Sequence, residues 1–390
     1  MFRVDQREFY QALEAVRLAA GKAGYIPIAE HVHLDAESGG LVLTCTDLEV
    51  RLSTTIDADG KGEMLLPVRK LAKMVKPTGK RSRPVSVGRD SDTGKPRLHI
   101  DGAVVRFQAE GVKDDWPTPA KVDWQPAATY DAGEVQRALK FLMPAVCKDE
   151  SRPSLCRVVW RGDLAVVTDG HRMHVVHLGT DSHKPVYQAR AQAAILLKLL
   201  RPCDGPVKLA GSDDGADTKF SGGSRFLWLS HELTSRVADG EFPDHEQVIP
   251  RDSAPGVLLK LERECLLTKL KKAEQMFDGM VTRLDFNGGA SLKLTAMDHH
   301  TVTGASAEWD IPNAGVEDTR LDHKPDSEVE GDEPDERHRG QPVTVYVEGR
   351  YLRDALLDGE VEVKLKLTGS LTPVHLRSGV FESVIMPRRC

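Results

Sequence analysis

The chain has 390 residues, 53 basic and 59 acidic side chains for a formal net charge of -6, and 40% hydrophobic residues. That length suggests two to four domains, and the apolar content is enough to give each a core, which excludes a chain disordered throughout. No apolar run approaches the roughly 20 residues that a bilayer-spanning helix needs. The opening MFRVDQREFY also lacks a basic segment followed by an apolar one, so a cytoplasmic location is expected.

In chain order, Phe9, Leu13, Val16 and Ala20 are spaced as the apolar stripe of an amphipathic helix, with Asp5 three residues before Glu8 to satisfy the free amides at its start. The alternating segment GLVLTCTDLEVRLSTTI (40 to 56) reads as strands interrupted at Asp47, and a second helix is expected over 67 to 75. The pattern then recurs. Val135, Leu139, Leu142 and Val146 repeat the stripe after Asp131 and Glu134, strands surround Asp169 (163 to 178), and a helix follows over 189 to 200. Leu266, Leu270, Ala273 and Phe277 open a third round, with strands about Asp298 (290 to 309) and a helix over 349 to 357. Each round runs towards a large side chain before proline, at Trp116-Pro117, Phe242-Pro243 and Met386-Pro387. Three copies of one α+β unit, bordered near 123 and 252, account for all of this, with two helices and seven or eight strands expected in each.

Between Val316 and Gly340 lie ten acids and four bases, so this segment carries the whole charge of -6 and the remaining chain sums to zero. With two prolines and almost no apolar residue it is expected to be a solvated loop or linker, without the ligand spacing of a calcium loop. The six cysteines, at 45, 147, 156, 203, 265 and 390, form no CxxC pair and fit reduced thiols better than a disulfide framework or a zinc site.

Thr168-Asp169-Gly170-His171-Arg172 admits two readings. His171 beside Asp169 could serve as a general base in a hydrolase. Alternatively, Asp-Gly supplies the positive φ angles of a tight hairpin turn, and neither flank offers a nucleophile. His299-His300 has no partner at metal-ligand spacing. The Gly-Lys pairs at 21, 60, 79 and 94 are followed by Ala, Gly, Arg and Pro, so no phosphate-binding loop is present and an ATPase is not expected.

Basic residues are more informative. Arg69, Lys70, Lys73, Lys76, Lys80, Arg81 and Arg83 occur without an acid between Met64 and Arg89, and Arg137, Lys140 and Lys148, Arg190, Lys198 and Arg201, and Lys269, Lys271 and Lys272 extend the pattern to all three units. A solvated helix face explains one such run. Three similar units presenting basic helices suggest a surface fitted to a polyanion and bound through phosphates rather than bases.

These residues fall into a known pattern. Thr46-Asp47-Leu48-Glu49, LLPVRKL at 65 to 71, TDGHRM at 168 to 173, ADGEFPD at 238 to 244 with Val248 following, and VIMPRR at 384 to 389 resemble, in matching order, the bacterial β sliding clamp family, the processivity subunit of DNA polymerase III. The resemblance implies an α+β chain of three topologically similar clamp domains (1 to 123, 124 to 252, 253 to 390), with two helices and about eight strands each. It also implies a head-to-tail homodimeric ring whose helices line the hole. Twelve helices about 9 Å apart give a circle about 34 Å across at the axes and leave a hole of about 24 Å, enough for a duplex.

Such a ring has no catalytic residue, cofactor or metal. It encircles double-stranded DNA without reading sequence and tethers the replicative polymerase through short hydrophobic peptides, which the clamp loader also uses. The residues implied for peptide binding are Leu155, Thr168, Gly170, His171, Arg172, Met173, Pro243, Val248, Val384, Met386, Pro387, Arg388 and Arg389. Those expected to face DNA are Lys22, Arg69, Lys70, Lys73, Lys76, Lys80, Arg81, Arg137, Lys148, Arg152, Lys198 and Arg201. Departures from the family pattern are Pro153 and Ser154 in place of aromatic residues, Gln247 in place of a basic one, Pro373 in place of a small polar one and Arg388 in place of an apolar one. The first bears on a contact that the family's aromatic residues make with DNA; the other three raise an altered peptide preference, and with it a specialised or drug-tolerant second clamp copy as the alternative to a housekeeping role.

Overall fold

A computed structural model describes the chain except at residues 23, 38, 80, 108–110, 119–121, 180–184, 213–219, 239, 251–255, 278, 290, 299–304, 319–341 and 390. The described residues form an α+β structure with six α-helices and 25 strands in three sheets. No described helix is long and apolar enough to cross a membrane.

The helices are α1 (Gln6–Val16), α2 (Val68–Val75), α3 (Ala132–Leu142), α4 (Arg190–Leu199), α5 (Arg263–Met276) and α6 (Gly349–Asp354). Each continues directly from a strand, and they come as three pairs along the chain, as the apolar stripes indicate. Phe9, Leu13 and Val16, then Val135, Leu139 and Leu142, then Leu266, Leu270 and Ala273 are fully buried. Burial of each large side chain among them contributes on the order of 1.5–3 kcal/mol. The expected caps are present. Asp5 Oδ1 accepts from the amides of Arg7 and Glu8, and Asp131 Oδ1 from those of Gly133 and Glu134. The last helix is shorter than the expected 349 to 357, because it tightens into turns after Asp354.

By packing, the chain forms two compact units, Met1–Gln136 with Ser182–Asp239, and Arg137–Asp181 with Gly240–Cys390. In the first, Val50–Ser235 and His231–Thr54 are partners across two antiparallel strands, Val50–Asp57 and His231–Ala238, in a sheet ordered 125–131, 206–212, 220–228, 231–238, 50–57, 40–46, 31–37 and 62–67. A smaller sheet of the same unit is ordered 59–60, 2–5, 84–89, 96–100 and 103–106. In the second unit, strand Arg172–His177 lies between Leu164–Thr168 and Phe381–Ile385, with Arg172 opposite Ile385 and Met173 opposite Val384. Beyond Phe381–Ile385 the order is 374–378, 362–367, 257–262, 306–318, 291–297, 281–286 and 343–348.

Strand Ser306–Asp318 reaches into the acidic segment. Glu317 pairs with Leu258 and Asp318 with Val257, so residues 316–318 are strand rather than the expected loop. Ladder pairing uses backbone groups, and acidic side chains at a strand end do not prevent it. The rest of that segment, and the His299-His300 pair, lie outside the described residues.

The Thr-Asp pattern noted at Asp47 and Asp169 builds one turn twice. Thr46 Oγ1 donates to Val50 O at 2.8 Å and accepts from Leu48 N at 3.0 Å, while Asp47 Oδ1 accepts from Glu49 N and Val50 N. In the second copy Thr168 Oγ1 donates to Arg172 O at 2.7 Å and accepts from Gly170 N at 3.1 Å, and Asp169 Oδ1 accepts from His171 N and Arg172 N. The third residue has φ +84° as Leu48 and +88° as Gly170. Glycine takes this conformation without cost, whereas leucine is strained there.

Candidate functional site

A cleft with an empty volume of about 540 Å³ opens within the second unit, lined by Leu155, Thr168, Gly170, Arg172, Met173, Phe242, Pro243, Asp244, His245, Val248, Val384 and Met386. Three local structures build it. The Thr168–Arg172 turn presents Thr168 and Gly170 at the rim. The ladder between Arg172–His177 and Phe381–Ile385 turns Met173 and Val384 to one face as a directly opposed pair, where they pack with Val166, Val175, Phe242, Val248 and Ile249. The segment after Gly240 closes the side. There Asp244 caps the 3-10 turn His245–Gln247, accepting from Glu246 N at 3.2 Å, and its other oxygen accepts from Gln247 Nε2 at 3.0 Å.

Nine of the thirteen residues expected to bind peptide therefore line one cleft. His171, Pro387, Arg388 and Arg389 do not. The His171 side chain is exposed, and its carbonyl accepts from Met386 N at 2.9 Å, which fixes the rim. Arg388 Nη1 donates to Glu348 Oε2 at 2.9 Å and its amide to Tyr346 O at 2.7 Å, so this side chain anchors the terminal segment to strand Val343–Glu348. Phe242, Asp244 and His245 were missed by sequence reasoning. The FPD signal located Pro243 alone, although an Asp preceding a short helical turn is itself a capping signature.

Arg172 lies in the wall without offering its charge to the cleft. Its guanidinium meets Asp169 Oδ2 at 3.1 Å and Asp354 Oδ2 at 2.6 Å, donates to Pro144 O, and stacks 4.3 Å from the centre of the Tyr351 ring. Both oxygens of Asp169 are thus engaged, one by turn amides and the other by Arg172. The carboxylate orients Arg172 and the turn rather than the His171 imidazole, and Gly170 supplies the positive φ. This is a structural turn and not a general-base pair.

Behind the ladder, His174 is fully buried, stacked on Phe141 and hydrogen-bonded through Nδ1 to Phe141 O at 2.8 Å. Burial lowers its pKa to about 4. On the cleft's own face, Glu382 is 2% exposed and bridges His177 Nε2 (2.8 Å), His375 Nε2 (2.5 Å) and Arg377 Nη2 (3.1 Å). Burial opposes ionisation of Glu382, but the His177 and His375 hydrogen bonds and nearby Arg377 outweigh it and hold the carboxyl well below its ordinary range.

A broader cleft of about 1150 Å³ adjoins the first through Val248 and Met386, and is otherwise lined by Glu246, Gln247, Ile249, Pro250, Thr368, Thr372 and Pro373. Two of the departures from the family pattern, Gln247 and Pro373, meet there.

The cations expected at DNA are placed as follows. In the first unit, α2 buries Val68, Leu71, Ala72 and Val75 and exposes Arg69, Lys70 and Lys73, with Lys76 exposed just beyond. Arg69 Nη2 donates to Gly21 O at 3.0 Å, drawing exposed Lys22 to the same end of the helix. Arg81 and Lys198 are exposed, Arg201 donates to the last carbonyls of α4, and Lys80 lies outside the described residues. In the second unit Lys148 is exposed. Arg137 pairs with Asp358 at 3.0 Å over the Phe381 ring, and Arg152 pairs with Asp149 at 3.1 Å and donates to Asp169 O. Those two charges are partly neutralised within the unit. Among the described residues no group of three or more His, Cys, Asp or Glu side chains could hold a metal ion.

The chain is similar to known proteins in sequence and in fold. Residues 1–93 match the family model for the N-terminal domain of the DNA polymerase III beta subunit. The chain is 26% identical over 283 residues to the beta sliding clamp of Synechococcus elongatus, covering 70% of this chain and 73% of that protein. It is 24% identical over 310 residues to that of Vibrio cholerae, covering 76% and 80%. A crystal structure of the Pseudomonas aeruginosa DNA polymerase III beta subunit superimposes over 100% of both chains with a TM-score of 0.81 at 21% identity. Another, of a P. aeruginosa sliding clamp bound to griselimycin, covers 100% of this chain and 99% of that one with a TM-score of 0.80 at 20% identity.

Proposed function

Because the chain belongs to the bacterial DNA polymerase III beta-subunit family, the β sliding clamps, we propose that it is a non-catalytic processivity factor that encircles duplex DNA and tethers a polymerase to it. The observation that carries this reading is the cleft of the second unit, where four separate stretches of chain bring apolar walls (Leu155, Met173, Phe242, Val248, Val384) together under a polar rim. Apolar walls with few polar groups suit a short extended peptide with a large apolar residue at its end, and not a reaction centre.

In the proposed assembly two chains of three clamp domains each, bordered near 123 and 252, close head to tail into a ring. Retention on DNA is then topological. The exposed cations of α2 and their counterparts need only weak, sequence-independent phosphate contacts, and strong ones would impede sliding. A chain without a phosphate-binding loop depends on a separate ATP-driven loader to open the ring. The polymerase and the loader present their peptides to the same cleft, and the cytoplasm is where these partners work.

Deleting Met386–Cys390 removes the lining residue Met386 and tests the assignment. A polymerase-derived peptide is expected to bind at least about tenfold more weakly, the effect of removing about 1.4 kcal/mol of apolar burial. The association state by sedimentation should stay the same. Unchanged peptide affinity would place the site elsewhere. The meeting of Gln247 and Pro373 in the adjoining cleft favours a second reading, a clamp copy specialised for different peptides, which a comparison of affinities for peptides from several polymerases would distinguish.

A further inference from the structure

Two thiols converge beside the cleft. Cys147 and Cys156 stand at the ends of the connection between the 3-10 turn Met143–Ala145 and strand Arg157–Arg161. The Cys147 Sγ lies 3.9 Å from the carbonyl oxygen of Asp149 and the Cys156 Sγ lies 3.3 Å from the same atom. Two such distances to one common atom place the sulfurs at most about 7 Å apart. The connection is wound tightly enough to keep them there: Arg152 N donates to Asp149 O, Leu155 N to Arg152 O and Cys156 N to Pro153 O. Cys147 is 2% exposed, whereas Cys156 reaches solvent in part.

The same connection braces the cleft at three points. Leu155, next to Cys156, is a wall residue. Arg152 Nη1 donates to Asp169 O, between rim residues Thr168 and Gly170. Arg157 donates to Ser154 O at 2.7 Å and to Gly240 O at 2.5 Å, where the segment carrying Phe242 and Val248 begins.

We propose that Cys147 and Cys156 form a peroxide-responsive dithiol whose closure to a disulfide distorts the cleft and weakens peptide binding. The Cys156 thiolate attacks one oxygen of hydrogen peroxide; the O–O bond breaks, the departing hydroxide takes a proton to become water, and a sulfenic acid remains. The sulfur of Cys147 then attacks that of the sulfenic acid; the S–O bond breaks and a second water leaves. Two thiols and one peroxide thus become one disulfide and two waters, with two electrons passing from the sulfurs to the peroxide. A dithiol reductant reverses the change by thiol–disulfide exchange. Bonding brings the sulfurs to about 2 Å, so Cys156 turns inward and Leu155 moves with it.

The effect on peptide binding rests on the function proposed above; formation of the bond does not. The full chain is treated with hydrogen peroxide, alkylated and digested with trypsin. Cleavage after Lys140, Lys148 and Arg157, with Arg152 protected by Pro153, leaves the two cysteines on separate peptides, 141–148 and 149–157. The proposal predicts these two peptides linked, with two hydrogens fewer, and separated again by dithiothreitol. It also predicts that a fluorescent polymerase-derived peptide binds the oxidised chain at least about threefold more weakly, and that Cys147→Ser abolishes this loss. A sulfinic acid on Cys156 with no linked pair, or a linked pair with unchanged affinity, overturns it. A reduced chain that binds no peptide overturns the cleft assignment instead, and the linked pair still decides the fate of the dithiol.

Discussion

Arg172 and His174, two residues apart on one strand, face the helices behind the sheet and set how the strand under the cleft responds to change. Arg172 pairs with Asp169 and with Asp354, whose other oxygen is held by Arg353. His174 is buried in its neutral form with a pKa of about 4, against 6.5 when exposed in the unfolded chain. Between those values the unfolded chain binds more protons, so this contribution to stability is complete above pH 6.5 and is lost as pH falls towards 4. Burial pushes His231 and His245 in the same direction, while the Glu382 hydrogen bond raises His177 and works against them. Urea titrations at pH 7.5 and pH 5 are expected to show a loss of about 2 kcal/mol that His174→Gln removes, and identical pH dependence in the variant would contradict it. The sequence marked Arg172 as part of a Thr-Asp turn and did not single out His174. It could not reveal that Asp354, 182 positions away, pairs with Arg172, because no local pattern marks a partner so distant.

At the scale of elements, periodicity carried most of the information. The first three residues of each apolar stripe, the caps at Asp5 and Asp131 and the exposed cations of α2 were legible, since each depends on residues within about two turns of one another, whereas the last stripe residues, Ala20, Val146 and Phe277, lie beyond the helix ends. The paired turns at Asp47 and Asp169 were legible as a repeat but not as a shared conformation, because Leu48 conceals the positive φ that Gly170 announces. Arg137 read as a DNA-facing base, and its pairing with Asp358 became visible only in the fold. Lys70, Lys73 and Lys76 are exposed beside an apolar face that is wholly buried, so they are expected to account for phosphate contacts. Replacing all three by Gln should lower the slope of log K against log salt on duplex DNA by about one for each phosphate no longer neutralised. An unchanged slope would assign the phosphate binding to other cations.

At the scale of the whole molecule, the sequence repeat and the compact units divide the chain differently. The repeat follows three rounds of strand and helix, whereas packing follows the sheets. Strand His231–Ala238 pairs with Val50–Asp57, and Arg172–His177 pairs with Phe381–Ile385, so the middle third contributes to both units. Pairing between strands about 180 to 210 residues apart leaves no trace in local composition, which is why the units were not legible. The net charge of -6 likewise misleads as a single figure, since it belongs to residues 316–340 while exposed bases occupy α2 and its neighbours. The central claim is topological, and retention on DNA tests it directly. Loaded onto a nicked circular plasmid by a clamp loader with ATP, the protein is expected to co-elute with the DNA through gel filtration and to be lost once the plasmid is cut to a linear form. Equal retention on circular and linear DNA would contradict encirclement and leave ordinary surface binding in its place.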